Sequence, residues 1–128
     1  MTIAELCIPA FLVLIIVSIG IAKADGLKTF DNANPRDPDF YRPGLRRRAQ
    51  AAHENGWEGF PFFIAAILLA EIRGVGQGVV DGMAVGFVVL RIAYLLMYLG
   101  NRPTLRSVVW GLAMVCNLTL FFSPLWAR

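Results

Sequence analysis

The sequence predicts an all-α membrane protein, a single unit over 1–128 built as a four-transmembrane-helix up-down bundle. Composition points there first: 57% of the residues are hydrophobic and 16% charged, whereas soluble domains carry about a quarter charged residues. Apolar runs of membrane-crossing length recur along the chain, and crossings of about 20 residues each consume most of it. The connections between the later runs are short and contain glycine, which suits antiparallel neighbours.

The first span, 3–22 (IAELCIPAFLVLIIVSIGIA), has one acidic residue, Glu5, near its outer end. It lacks a basic leader and is longer than the apolar core of a signal peptide, so a retained helix is expected. Residues 23–45 hold prolines, Asx residues and charges of both signs, the composition of an extended loop. The second span, 46–73, is divided: RRRAQAAHENGWE is polar and GFPFFIAAILLA apolar, with Pro61 expected to kink the helix or to leave its freed carbonyl to a neighbouring side chain. The third, 79–99, is apolar except for Asp81 and Arg91, and the fourth covers 104–126. Turns at 74–78 and 100–103 join them.

Basic residues near the membrane mark cytoplasmic loops. Lys23, Lys28, Arg36, Arg42, Arg46, Arg47 and Arg48 lie in or beside the 23–45 loop, and Arg102 and Arg106 flank the last turn. Only Arg73 and Arg128 lie on the other side, so both termini are expected to be non-cytoplasmic. Phe121, Phe122 and Trp126 suit an aromatic belt at that outer face. The net charge of +3 sits beside apolar segments with no nucleic-acid motif, so no nucleic-acid partner is expected. Cys7 and Cys116 read as buried fillers, and with a single histidine no metal site is expected. His53 reads as an interhelical hydrogen-bonding residue rather than a catalytic base or ligand.

With this topology, polar residues of three helices meet at the cytoplasmic end. Arg47, Arg48, Ala51, Glu54, Asn55 and Glu58 share a broad face of the second helix, while Gln50, His53 and Trp57 fall on another. Arg91, Tyr94 and Tyr98 form a stripe on the third helix, and Arg106 and Ser107 open the fourth. Glu58 and Arg91 lie roughly 12–18 Å along their helices from that end, and a charge at mid-membrane costs about 2.5 kcal/mol or more. They are expected to pair, either framing a polar pocket or only fixing helix register. The run Arg46–Arg48 reads as a head-group anchor, with Arg48 close enough to the polar face to bind a ligand as well. Tyr94 and Tyr98 read equally as interfacial aromatics or ligand contacts.

The segments RAQAAHENGWEGFPFF at 48–63 and RIAYLLMYLGNRPTLRSVVW at 91–110 resemble the MAPEG family, the membrane-associated proteins in eicosanoid and glutathione metabolism. The specific part is AHxNxxE together with the RxxYxxxY stripe leading into LRS, and the likeness in length and span number covers nearly the whole chain. The resemblance implies a homotrimer in the bilayer with glutathione as co-substrate between protomers near the cytoplasmic face. Arg48, Asn55, Glu58, Arg91, Tyr94 and Tyr98 would hold the tripeptide. Arg106 would stabilise its thiolate, with Ser107 donating to the same sulfur, and a lipophilic second substrate would arrive from the membrane. That is a glutathione-dependent transferase or peroxidase; the alternative is a non-catalytic protein binding a lipid or an anionic metabolite in the same pocket. A small multidrug exporter is disfavoured, because such proteins carry an acidic residue deep in the first helix. Ala51, one turn before Asn55, stands where eicosanoid enzymes often carry an arginine, and Trp110, one turn after Arg106, where the prostaglandin synthase carries a tyrosine. Those departures point to a bacterial-type branch in an inner membrane.

Overall fold

A computed structural model describes residues 1–127, so the terminal Arg128 used in the topology reading lies outside the described residues. Four helices follow in order: α1 (Ile3–Asp25), α2 (Gly44–Ile72), α3 (Gln77–Leu99) and α4 (Pro103–Phe122), then a short 3-10 helix, Ser123–Leu125. The fourth helix ends short of the expected 126 for a local reason. Pro124 has no N–H to offer the Leu120 carbonyl, and the Ser123 hydroxyl donates to that oxygen instead at 2.7 Å. α2 runs without a break through Pro61.

α1 packs along α2, and α3 along α4; α2 also touches both α3 and α4, while α1 and α4 do not meet among the described residues. The start of α1 fixes its direction. Thr2 caps α1 in a capping box with Glu5, and its hydroxyl donates to Glu71 Oε1 at the end of α2 at 2.7 Å. The Ala4 amide donates to Asp81 Oδ1 in the first turns of α3 at 2.9 Å. α1 is therefore antiparallel to α2 and parallel to α3. Asp81, an exception in an apolar span, is accounted for: it accepts an orphan amide of the neighbouring helix start and a second bond from Gln77 at 2.8 Å.

The core is aromatic at mid-length. The Phe11 ring of α1 meets Phe63 and Phe87 edge-on at 5.7 and 5.0 Å, and those two stack at 4.2 Å. Close approach of α1 and α2 requires Gly56, because a Cβ there would lie 2.6 Å from Ile15 Cγ1. Gly56→Ala is expected to overpack this crossing and cost about 1–3 kcal/mol in a thermal or denaturant melt of the detergent-solubilised protein. Gly59→Ala, at a position where a Cβ meets nothing within 4 Å, serves as the control for lost glycine flexibility.

At the other end the loop folds back on the bundle. Tyr41 and Phe40 are buried against Ala22 and Ala49, and the Tyr41 hydroxyl donates to the Pro35 carbonyl at 3.0 Å. Arg46 is not a free head-group anchor: it pairs with Asp25 at 3.1 Å, donates to the Phe40 carbonyl at 3.2 Å and lies over the Phe40 ring at 4.8 Å. Its guanidinium fills the space a side chain at Gly26 would need. Of the basic run only Arg47 is exposed.

The helix at Ile3–Asp25, the one at Gln77–Leu99 and the stretch Pro103–Leu125 are long and apolar enough to cross a membrane, with mean hydropathies of 2.5, 2.0 and 1.8. Their outward faces present Val13, Ile16 and Val17, then Val89, Ile92 and Leu96, then Leu112, Val115 and Leu118, all exposed. A continuous apolar exterior of this kind suits lipid, not water. α2 is long but half polar and is not among these candidates.

Candidate functional site

Arg91 anchors the site. It is 5% exposed, and its Nη1 donates to Asn55 Oδ1 of α2 at 2.8 Å. Its guanidinium lies over the Tyr94 ring at 4.1 Å and near the Phe11 ring at 5.3 Å, so π-faces replace a counter-charge around it. The expected Glu58–Arg91 ion pair is absent: Glu58 is exposed, and no carboxylate lies within ion-pair distance of Arg91 among the described residues. The helical phase explains the correction. Asn55 occupies the α3-facing position of α2, and Glu58, nearly one turn on, is rotated out of it.

The rim is built on α3 and α4. Tyr94 and Tyr98 meet edge-on at 5.5 Å, and the Arg106 guanidinium lies over the Tyr98 ring at 4.4 Å. Proline at the start of α4 pre-sets the first turn, so Arg106 and Ser107 project beside the tyrosines. Together with Asn55 and Trp110 these residues line a pocket of about 210 Å³. Glu58 and Arg91 line a second chamber of about 190 Å³ that shares Asn55 and Trp110 with the first. The structure thus brings together seven of the eight proposed site residues. Arg48 stands apart, its Nη2 donating to the Leu99 carbonyl at the end of α3 at 3.3 Å, where a cation also meets the negative pole of the helix.

A family model for the MAPEG family matches residues 3–126. The chain belongs to the MAPEG family. No curated protein gives a significant match.

In this MAPEG protein His53 has the interhelical role read from its face. The Trp57 indole donates to His53 Nε2 at 3.1 Å, so Nδ1 carries the proton and donates to the Ile15 carbonyl of α1 at 2.9 Å. Both residues line a larger recess of about 840 Å³, with Lys23, Arg36 and Glu58 among its walls. Tyr41 also borders it; burial pushes its hydroxyl above the ordinary tyrosine range, with Arg36 pulling the other way.

Some of the site escapes motif reading. Phe11 faces Arg91 from α1, a helix that looks uniformly apolar. Asn117 is 2% exposed on α4 and lines the smaller chamber. Its signal was available in the spacing: Arg106, Trp110, Ala113 and Asn117 recur at helical period and share one stripe.

Proposed function

We propose that this MAPEG protein is a glutathione-dependent transferase or peroxidase acting on lipophilic electrophiles. The observation that carries this reading is Arg106 held over Tyr98 at 4.4 Å, beside Ser107, in a pocket shared with Asn55 and Tyr94. A thiol of ordinary pKa, about 8.5, is mostly protonated at neutral pH. A fixed guanidinium favours the nucleophilic thiolate, and the positive start of α4 adds to it. In the proposed reaction the thiol proton leaves to water at the pocket mouth. The sulfur pair then forms a bond to the electrophilic carbon, displacing its leaving group or adding across its activated double bond. In the peroxidase variant the sulfur takes the terminal oxygen of a hydroperoxide, the alkoxide leaves as the alcohol with a proton from water, and a second glutathione thiol condenses with the sulfenic acid to give the disulfide and water.

Homotrimer assembly, with α2 as the fourth crossing, belongs to the same proposal. Glu54 and Glu58 are exposed on the protomer surface of α2, and a charge facing hydrocarbon at the helix centre costs about 2.5 kcal/mol or more. A second copy laid on this face covers them and closes the recess beside Glu58, completing the glutathione site between protomers. Arg48, held on the Leu99 carbonyl at the end of α3, is assigned to the same ligand. The orientation proposed is both termini non-cytoplasmic, in a bacterial inner membrane, on the strength of the arginine and lysine asymmetry.

Titration calorimetry of the protein in lipid nanodiscs tests the reading. Saturable glutathione binding is expected, weakened about tenfold by Tyr98→Leu, which removes both the Arg106 platform and a hydroxyl. Absence of binding in the wild type favours the non-catalytic protein instead.

A further inference from the structure

His53 and Trp57 make a contact that survives in only one charge state. The imidazole, from the single histidine of the chain, is half-buried on α2 and pinned at one end. Its Nδ1–H donates to the Ile15 carbonyl of α1 at 2.9 Å, an oxygen that also accepts the Ser18 hydroxyl at 2.6 Å. At the other end Nε2 accepts the indole N–H of Trp57 at 3.1 Å. With Nδ1 already bearing its proton, a second proton adds only at Nε2. Two N–H donors then point at each other, and no change of tautomer relieves them, because both nitrogens of an imidazolium are donors. The indole N–H loses its acceptor at that moment. Imidazoles gain this charge between pH 5 and 8, a range that no other unperturbed side chain covers.

Trp57 is the partner with room to yield. It is 45% exposed, stands one turn beyond His53 on α2 and meets Phe60 edge-on at 5.8 Å. The indole and imidazole planes cross at 88° with centroids 6.2 Å apart, and the N–H edge of the indole is the part turned to His53. A cation is drawn to the face of an indole instead, so a charged ring at His53 turns the indole out of this arrangement. The recess of about 840 Å³ beside the pair gives it space. The charged and titratable walls of that recess are Lys23 from α1, Arg36 and Tyr41 from the loop, and Glu54 and Glu58 from α2. Two cations face two carboxylates, so no net charge opposes a proton on His53. We infer that His53 and Trp57 form a pH-operated latch: neutral His53 holds the indole against α2, and protonated His53 releases it into the recess. Control of the glutathione site by this latch rests on the function and assembly proposed above, in which a second copy closes the same recess; the motion of the indole does not.

Nitrogen-15 NMR of the tryptophan indole N–H groups, on the protein in lipid nanodiscs, reads that hydrogen bond directly. The chain has three tryptophans, and Trp57→Phe assigns the relevant signal by its loss. As the pH falls from 8 to 5 the Trp57 indole proton is expected to move upfield in one single-proton step, because its acceptor is lost. His53→Gln offers an amide N–H to the Ile15 carbonyl and an oxygen to the indole but takes no proton in this range, so its Trp57 signal is expected to stay in place. The step is expected to persist when Glu54 and Glu58 are both changed to Gln. A wild-type signal that does not move overturns the inference. So does a step that survives in His53→Gln or vanishes in the Glu54→Gln/Glu58→Gln variant, either of which assigns the titration to another group. Glutathione calorimetry at the two ends of the pH range, on the wild type and His53→Gln, tests the regulatory claim separately. Affinity is expected to fall about tenfold on acidification in the wild type and less in the variant. Indole release with equal falls in both proteins upholds the latch and removes its control of the site; indole release without glutathione binding at any pH upholds the latch and defeats the proposed function.

Discussion

Asn55→Leu is expected to destabilise the protein by about 1.5–3 kcal/mol, the cost of leaving a buried cation without its hydrogen bond. Asn55 is the residue to which the Arg91 guanidinium donates, at 2.8 Å, and Arg91 is nine-tenths buried with no carboxylate at hand. The reciprocal change behaves differently. Arg91→Leu takes a charge out of the bundle interior, which recovers a desolvation cost of about 2.5 kcal/mol or more, and Asn55 is only half-buried, so its oxygen stays hydrated through the pocket. The loss of the Asn55 hydrogen bond and of the Tyr94 and Phe11 contacts outweighs that gain by a small margin. Arg91→Leu is therefore expected to cost less than Asn55→Leu, and Glu58→Leu, which makes no hydrogen bond or ion pair with either partner, least of all. Unfolding of the ligand-free protein in mixed micelles measures the ranking. A true Glu58–Arg91 pair instead gives large losses for each of those single variants and recovery in the double apolar variant.

Arg106→Leu is expected to lower the turnover of glutathione with a chlorodinitrobenzene probe by about 10²–10³-fold, the range seen when one electrostatic contact to a developing or activated anion is removed. Most of the loss falls on kcat, because the tripeptide keeps Asn55, Tyr94 and Tyr98 while its sulfur loses the cation. Arg106→Lys recovers only part of the rate. A lysine keeps the charge but has no planar group to lie on the Tyr98 ring, where the guanidinium is now held at 4.4 Å. Equal rates in all three proteins mean that Arg106 serves only to anchor α4 at the head groups.

Much of this molecule is legible in its sequence because lipid imposes a simple rule: a crossing backbone must satisfy its own polar groups, which a single long apolar segment does as a helix. The four helices, the divided character of α2 and the stripe of Arg91, Tyr94 and Tyr98 all follow from periodicity and composition. The failures concern partners, which periodicity does not name. Glu58 and Arg91 are each expensive at their depth, and pairing opposite charges is the simplest remedy. The structure uses a neutral amide from Asn55 and the faces of Tyr94 and Phe11 instead, and a phenylalanine in an apolar run carries no mark of that role. Arg46 reads as one of a basic run at a membrane edge, yet its place depends on Asp25, Gly26 and Phe40, which the loop brings to it only when folded. Arg48 likewise meets the last carbonyl of α3, a contact distant in sequence. Family membership follows from the motif, and the match over 3–126 bears it out. Motifs say nothing of Asn117, which becomes visible only as a polar break in the α4 stripe.

The central claim is that the Arg106 pocket holds glutathione as a thiolate, and ultraviolet thiolate absorbance of the bound tripeptide, titrated against pH, tests it most directly. With glutathione saturating, the wild type is expected to show thiolate appearing well below the ordinary thiol pKa of about 8.5. Arg106→Leu is expected to return the transition toward that value while binding largely survives. The sign is fixed by the charge: a cation beside the sulfur favours the ionised form, so its removal moves the titration upward. A bound thiol that titrates at its free value in the wild type, with the site saturated, contradicts the account.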